Sequence, residues 1–223
     1  MTRRQALLSS LALAPARTAG KVYVLLWFDT EDYIEPAADD AALRLAQDLT
    51  KLGVRATFKT VGEKARVLEQ RKRHDVIAAL QRHDIGYHTD FHSIQPVPAV
   101  YLEQLSWLEG ADEFRRREEP GLRDLLRIFK LKQASCYGQP GSSWGPQAYR
   151  ALRQMSIDVY LDEGSHVGLR DQPFWYGGLF NVFAIRQNAF RAGLRPEDKF
   201  EDFSRRFDER HAALLQQGGG LIS

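Results

Sequence analysis

Strand-like and helix-like segments alternate over the N-terminal part of the chain, and this alternation limits the folds that the chain can adopt. Lys21 to Phe28 is a short apolar run rich in Val, Leu and aromatic residues, which is typical of a strand buried on both faces. A helical pattern follows over Ala37 to Leu52. Two further strands, Val54 to Val61 and Asp84 to Tyr87, enclose a helical stretch from Gly62 to His83. This order predicts parallel strands joined by right-handed crossovers, and therefore an α/β fold.

The C-terminal part continues the alternation with longer helices. Val100 to Lys130 has leucines at helical spacing, and Pro120-Gly121 predicts a break between two helices. The charge run Arg115 to Glu119 is typical of a solvated helix face. Pro146 is placed to begin another helix. The remaining predicted elements are strands at Gln133 to Tyr137, Asp158 to Leu161 and Asn181 to Ile185, and a helix from Pro196 to Gln217.

The two ends of the chain have their own signals. Residues 1–19 combine a positive start, the apolar run Ala6 to Ala14 and small residues up to Ala19, which predicts an export signal peptide that resembles the twin-arginine type. The apolar run is too short to span a bilayer. We expect residues 20–223 to form one domain. Leu221-Ile222 after three glycines is typical of the start of a strand, so we expect the chain to stop inside its last strand.

Charge and cysteine content exclude several classes of function. Loss of Arg3, Arg4 and Arg17 with a signal peptide would change the formal net charge from +2 to −1. A nearly neutral protein has no general attraction for nucleic acid or for an anionic membrane. Cys136 is the single cysteine, so no internal disulfide can form, and we expect it to be a buried apolar residue. Nothing in the sequence indicates the oligomeric state.

Polar residues follow the first and third predicted strands. Asp29-Thr-Glu-Asp32 follows the first strand, and His88 and His92 stand four residues apart after the third. Parallel strands have their carboxyl ends at one edge, where α/β folds collect functional groups. Two imidazoles and a carboxylate suit a divalent transition metal such as zinc. The His-Glu-x-x-His protease motif is excluded, because Thr89 and Phe91 stand between the histidines without a glutamate.

Three stretches together resemble the polysaccharide deacetylases of the NodB-homology type, carbohydrate esterase family four. They are Trp27 to Asp32, Ala56 to Glu63 (ATFKTVGE) and His83 to Ser93 (HDIGYHTDFHS). The last is similar to the family's His-Ser/Thr-x-x-His motif, and the first to its acidic pair, with residues inserted between the two aspartates. The resemblance covers most of residues 21–223. It implies a distorted (β/α) barrel of about seven parallel strands with the site at their carboxyl ends.

The resemblance also implies a role for each matching residue. Asp29 matches the catalytic base, and His88 and His92 match metal ligands. The third ligand is Asp32 or Glu31, because the inserted spacing leaves the alignment open, and we prefer Asp32. The implied cofactor is a divalent metal, zinc in the first place, with cobalt, nickel or manganese as alternatives. The implied reaction is metal-assisted hydrolysis of an N-acetyl group, in which Asp29 takes a proton from water.

The chain departs from the family pattern in two places. The third motif, Arg-x-Pro-x-Gly, corresponds to Gly138 to Ser142, so a glycine replaces the arginine that holds the catalytic aspartate. Asp29 then lacks its partner unless Arg186 or Lys59 substitutes from another strand. The family's last motif, Leu-x-His-Pro with the general acid, would lie beyond Ser223. The four histidines outside the motif are predicted to lie at the surface: His74, His83, His166 and His211.

Candidate substrate contacts come from the third motif and from aromatic residues in predicted loops. Pro140 belongs to the third motif, and Trp144 and Trp175 are placed where sugar rings stack, although core packing explains both equally well. Three functions remain open at this point. They are an exported metal-dependent deacetylase of an N-acetylated glycan, a non-catalytic relative that binds carbohydrate, and a hydrolase of small non-peptide amides.

Overall fold

A computed structural model describes residues 20–162, 173–183 and 199–223, with the side chain of Ser142 left out. The predicted signal peptide, His166 and Arg186 lie outside these residues. The structure is of the predicted α/β class, with helices between parallel strands. No helix in the described part of the chain is long and apolar enough to cross a membrane.

The elements are numbered in chain order. They are β1 (Val22–Val24), β2 (Trp27–Thr30), α1 (Pro36–Lys51), β3 (Thr57–Thr60), α2 (Gly62–Gln70), α3 (His74–Leu80), β4 (Asp84–Tyr87), α4 (Pro98–Leu102), α5 (Trp107–Ile128), a 3-10 turn (Pro140–Ser142), α6 (Ala148–Gln154), β5 (Val159–Asp162), β6 (Phe174–Tyr176), β7 (Leu179–Phe183), α7 (Phe200–Gln216) and β8 (Gly220–Ile222).

The chain divides into two compact units. In the smaller unit, β1 pairs in parallel with β8, and α7, which precedes β8 in sequence, contacts both strands. The strand predicted at Leu221-Ile222 is confirmed by this pairing. The larger unit contains the described residues from 25 to 183, including every described candidate site residue.

The larger unit is built on parallel strands. Strands β2, β3 and β4 are neighbours in that order. Tyr137 forms single parallel bridges to Tyr87 of β4 and to Tyr160 of β5, and β5 pairs in parallel with β7. Strand β6 is antiparallel to β7. The pairings among the described residues do not close into a ring, so the seven-stranded barrel stays a prediction.

Several predicted boundaries are wrong. The run Lys21 to Phe28 is not one strand, because β1 pairs with β8 while β2 pairs with β3. The stretch Gly62 to His83 is two helices, since Lys72 adopts a left-handed φ of 56° that ends the first of them. The predicted strand at Gln133 to Tyr137 is reduced to bridges at Tyr137. Strand β6 was not predicted.

Helix α5 is the largest departure from the predicted pattern. It runs without a break through Pro120. It begins instead at a capping box, in which the Ser106 hydroxyl accepts a hydrogen bond from the Glu109 N–H and the Glu109 carboxylate accepts one from the Ser106 N–H. Gly121, which follows Pro120, allows α5 to pack closely against Asp90, because a Cβ at position 121 would overlap with Oδ1 of Asp90. The Pro-Gly pair marks a close contact and not the end of a helix.

Large side chains fill the space between the strands and the helices. Phe58 of β3 is buried and packs 5.2 Å, between ring centroids, from His83. Tyr87 and Tyr137 are completely buried, and Phe114 of α5 meets the Tyr137 ring edge-on at 5.5 Å. This packing fixes the strand ends that carry the polar residues. Cys136 is buried, as predicted, and desolvation raises the pKa of its thiol to about 12.

Candidate metal centre

Three potential metal ligands meet at the carboxyl edge of the sheet. Glu31 directly follows β2, and His88 directly follows β4. Oε2 of Glu31 lies 2.8 Å from Nε2 of His92 and 3.3 Å from Nε2 of His88. The ligand atoms of the three residues all lie within 4.8 Å of one another. Among the described residues this is the one group of His, Cys, Asp and Glu side chains with such an arrangement.

The two imidazoles are held so that Nε2 faces Glu31. Nδ1 of His88 lies 2.8 Å from the carbonyl oxygen of Gly138. A carbonyl oxygen can only accept, so Nδ1 is the donor, and Nε2 is the ring nitrogen that faces Glu31 and is available to a metal. Nδ1 of His92 lies 2.9 Å from the hydroxyl of Ser93. His88 is buried and His92 is half-buried, so the group opens toward solvent on the His92 side.

The loop that carries both histidines is anchored to α2. Thr89 adopts a left-handed φ of 67°, and its carbonyl oxygen accepts a hydrogen bond from the N–H of Gly62. The carbonyl oxygen of Asp90 accepts from the N–H of Glu63 in the same way. The Asp90 carboxylate receives a 2.6 Å contact from the guanidinium of Arg66. The first turn of α2 therefore fixes the backbone between His88 and His92.

Helix α5 contacts the same loop through Glu118. Glu118 is buried, and its Oε2 accepts hydrogen bonds from the N–H of Asp90 at 2.7 Å and from the hydroxyl of Tyr87 at 2.9 Å. The hydroxyl of Tyr101 lies 3.2 Å from Oε1. Burial raises the pKa of Glu118 to about 7, although these hydrogen bonds act in the opposite direction. The predicted solvated face at Arg115 to Glu119 is thus wrong for Glu118.

Asp32 has a local backbone partner instead of an imidazole. Its Oδ1 accepts hydrogen bonds from the N–H groups of Ile34 and Glu35 at 2.9 and 3.0 Å, and these bonds lower the pKa of the carboxyl. The ammonium of Lys64 donates to the Asp32 carbonyl oxygen at 2.6 Å. The structure therefore brings Glu31, and not the preferred Asp32, to His88 and His92. The carboxylate of Asp32 orders the turn before α1.

Asp29 lies beside the ligand group and is paired with a buried lysine. Its Oδ1 is 3.7 Å from Nε2 of His88 and 2.9 Å from Nζ of Lys59. The Lys59 ammonium makes no hydrogen bond to another described residue. Its contact with the Asp29 carboxylate is therefore an ion pair. The same ammonium lies 4.0 Å from the centre of the Trp27 ring. Of the two cations predicted as substitutes for the missing arginine, Lys59 is the one within the described residues, and its ammonium lies next to Asp29.

The electrostatics of the group favour cation binding. Hydrogen bonds from His88 and His92 hold the pKa of Glu31 well below its usual range. Asp162, at the end of β5, is buried and accepts a 2.7 Å hydrogen bond from the N–H of Gln139. Burial raises the pKa of Asp162, while the charge of Lys59 acts to lower it. A bound divalent transition metal would replace the protons of these hydrogen bonds, and two imidazole nitrogens with an ionised carboxylate oxygen would then be a suitable donor set.

The predicted substrate contacts have different environments. Pro140 is buried in the 3-10 turn. Trp144 is half-buried, and its indole N–H donates to the hydroxyl of Tyr149 at 2.9 Å, so it is tied into the packing of the larger unit. Trp175 on β6 has 72% of its surface exposed and packs against Phe180. Trp175 is therefore the candidate with a free aromatic face.

One histidine prediction is wrong. His83 is buried and not at the surface, because its ring lies within hydrogen-bond distance of the Ala46 carbonyl oxygen, the Thr50 hydroxyl and the Ala56 N–H. His74 is exposed, as predicted, and His211 is half-buried. His83 links α1 to β3 and β4 and is a packing residue.

Sequence reasoning missed Glu118, Asp162 and the buried lysine Lys64. A signal for Glu118 does exist, because Phe114, Glu118 and Leu122 are spaced by four and share a helix face. A charged residue on an apolar stripe has a buried partner more often than solvent. Asp162 directly follows the predicted strand Asp158 to Leu161, which is the same kind of signal as for Asp29. Lys64 has no comparable local signal, since its partners are far away in sequence.

No protein-family model matches the chain, and no curated protein sequence matches it. The chain is similar to a mutant of a CE4 family pseudoenzyme with restored activity, whose wild type comes from Bacillus anthracis, at 18% identity and TM-score 0.46. The match covers 63% of this chain and 44% of that one, so the chain spans less than half of the pseudoenzyme.

Two other similar structures cover most of both chains. A family 4 acetyl xylan esterase from Clostridium thermocellum, in complex with a cobalt ion, matches at 15% identity and TM-score 0.41, over 90% of this chain and 87% of that one. A mutant of the peptidoglycan deacetylase PdaC from Bacillus subtilis matches at 16% identity and TM-score 0.42, over 92% and 89%.

Proposed function

We propose that the protein is a metal-dependent hydrolase that removes N-acetyl groups from a glycan. The observation that carries the proposal is the convergence of Glu31, His88 and His92 within 4.8 Å, with the carboxylate of Asp29 beside them. An open group of two imidazoles and one carboxylate leaves coordination positions for water and substrate. The order of the motifs along the chain supports the same reaction class.

The chain's own residues have distinct tasks in this proposal. Glu31, His88 and His92 would hold a divalent metal, and the metal would polarise the amide carbonyl and make a water molecule more acidic. Asp29 accepts the proton of the attacking water as general base. Lys59 and His88 both face Oδ1 of Asp29, so Oδ2 is the oxygen left for the proton. Gly138 holds His88 in the required tautomer through its carbonyl oxygen.

Four further statements belong to the proposal. We propose zinc as the metal, a closed (β/α) barrel for the whole fold, substrate contacts from Pro140, Trp144 and Trp175, and export through a signal peptide at residues 1–19 to the periplasm or beyond the cell.

Export is supported by the pattern of the first residues alone. N-terminal sequencing of the exported protein checks it, since a mature chain that still begins at Met1 contradicts cleavage.

The test is release of acetate by the metal-loaded protein. Chito-oligosaccharides and peptidoglycan serve as substrates after loading with zinc, cobalt, nickel or manganese, and metal content is measured in parallel. We expect Asp29→Asn to keep the metal and to lose at least about 10²-fold in rate, as expected for removal of a general base. We expect the double variant His88→Ala/His92→Ala to lose both metal and activity.

Other outcomes separate the alternatives. Binding of glycan and metal without acetate release favours the non-catalytic carbohydrate-binding function. Hydrolysis of small amides alone favours the third function. Full activity of Asp29→Asn removes the assignment of the base, and unchanged metal content in the histidine double variant removes the metal centre.

A further inference from the structure

Lys59 belongs to β3, which lies between β2 and β4 in the sheet. Asp29 of β2 pairs with Lys59 of β3, and Lys59 pairs with Gly86 of β4. Residues at the same level of adjacent strands extend to the same face of the sheet. The lack of a side chain at Gly86 leaves room for the lysine stem, because a Cβ at position 86 would approach Cγ of Lys59 to 3.1 Å. The side chain thus extends along the sheet toward Asp29.

Gly138 leaves the space that the end of this lysine occupies. A Cβ on Gly138 would lie 2.5 Å from Nζ and 2.8 Å from Cδ of Lys59. The same Cβ would lie 2.7 Å from the backbone carbonyl oxygen of Leu161. All three distances are below van der Waals contact, so a side chain at position 138 would displace both the ammonium of Lys59 and the backbone of β5. Gly138 has no left-handed φ, so its lack of a side chain serves space and not backbone conformation.

The ammonium of Lys59 depends on Asp29 as its counterion. The Lys59 side chain is fully buried, and 38% of the Asp29 side chain is exposed. A buried ammonium without a counterion is costly. The Trp27 ring at 4.0 Å is its second favourable contact. The lysine therefore restrains the orientation of Asp29, the carboxylate within 2.9 Å of its ammonium.

We propose that Lys59 is the positioning residue for Asp29, and that Gly138 is required because it leaves the space into which Lys59 extends. The positive charge beside the base thus comes from β3 and not from the loop that begins at residue 138. This inference rests on the proposed function, in which Asp29 accepts a proton. Its consequence is that a side chain at position 138 is incompatible with the observed position of the Lys59 ammonium.

The first test separates positioning from general stability. Lys59→Met removes the charge and keeps most of the volume, and Gly138→Ala displaces the ammonium. We expect each to lower kcat by about 10²-fold, as for a misplaced catalytic group, with KM and metal content within about twofold of wild type. Gly145→Ala is the control in the same loop, because the atoms nearest to its Cβ would belong to Leu102, at 2.6 Å, and to Gln139, at 3.5 Å, and not to Lys59. We expect this control to keep the wild-type kcat.

The second test exchanges the two positions. Lys59→Ala vacates the space, and Lys59→Ala/Gly138→Arg places a cation there from the loop. We expect the double variant to exceed Lys59→Ala at least tenfold in kcat. Wild-type kcat in metal-loaded Lys59→Met overturns the proposal. A double variant that is folded, binds metal as the wild type does and is no better than the single variant overturns it as well.

A third measurement does not depend on activity. If the metal-loaded wild type hydrolyses no glycan amide, the proposed function fails, and the pairing is then decided by denaturation of Lys59→Met, Asp29→Asn and their combination. We expect Asp29→Asn to shift the denaturation midpoint in the wild type and to shift it by less than half as much in Lys59→Met. Equal shifts in both backgrounds overturn the pairing of Lys59 with Asp29.

Discussion

Glu31 and Asp32 are adjacent carboxylates with different tasks. The shorter Asp32 accepts hydrogen bonds from backbone N–H groups two and three residues ahead, a preference of Asp at turns. The longer Glu31 reaches both imidazoles. The sequence predicts that an acidic group stands here, but the direction of each side chain depends on the backbone of the turn. The turn is in part set by Lys64, whose contact with Asp32 spans 32 residues.

The first prediction tests this division with two charge-matched variants. Glu31→Gln and Asp32→Asn each remove one negative charge. We expect Glu31→Gln to lower metal affinity by about 10²-fold or more, because a neutral amide oxygen is a poor ligand for these metals. We expect Asp32→Asn to stay within about threefold of wild type, because the Asn carbonyl oxygen still accepts from Ile34 and Glu35. Isothermal titration with zinc and with cobalt measures both.

A reversed order of the two metal affinities contradicts this division of tasks between Glu31 and Asp32. If Asp32→Asn loses the metal and Glu31→Gln retains it, Asp32 is the ligand, as the motif alignment preferred. Circular dichroism of both variants before titration shows whether each is folded, so that a loss of affinity refers to the site.

Helix α5 shows why local sequence signals fail inside a packed fold. Pro120 lacks an N–H and costs about 3 kcal/mol or more in a helix interior. The helix continues through it because Phe114, Leu122 and Leu125 are buried along one face, and burying each such side chain is worth roughly 1.5–3 kcal/mol. Tertiary packing thus outweighs a local break signal. The same packing places Glu118 under the histidine loop.

The second prediction concerns the pH dependence of that support. The pKa of Glu118 is raised to about 7 from 4.5, so the folded state favours the protonated form. Below pH 4.5 the group is protonated in both states and costs nothing, and above pH 7 it is ionised in both. The free energy of unfolding therefore falls between these limits, by roughly 3 kcal/mol from this group.

Glu118→Gln isolates this contribution, since the amide does not titrate. Urea denaturation of wild type and variant without metal, at pH 4, 5.5 and 7.5, measures the difference between them. We expect the stability of the wild type relative to the variant to decrease steadily as pH rises. A difference that is constant with pH shows that the pKa of Glu118 is the same in the folded and unfolded states, and one that grows shows that folding lowers it. Either result contradicts the prediction.

At the scale of the whole molecule, the sequence predicted local units better than distant pairings. The units around α1 and β4 follow from hydrophobic spacing and match the structure closely. The division of Lys21 to Phe28 into β1 and β2 was not predictable in this way, because β1 pairs with β8 at the other end of the chain. The candidate site was predictable to the level of strand ends, since parallel strands place their carboxyl ends together.

The last prediction concerns metal and the stability of the whole chain. A metal that binds the folded state alone stabilises it by about 2.7 kcal/mol at a concentration 100-fold above Kd, which for a chain of this size raises Tm by roughly 5–10 °C. Glu31, His88 and His92 come from two separate strand ends, so their joint binding requires the folded sheet. Scanning calorimetry with zinc, and again after chelation, measures the shift. His88→Ala/His92→Ala is the control, and an equal shift in this variant places the stabilising metal elsewhere.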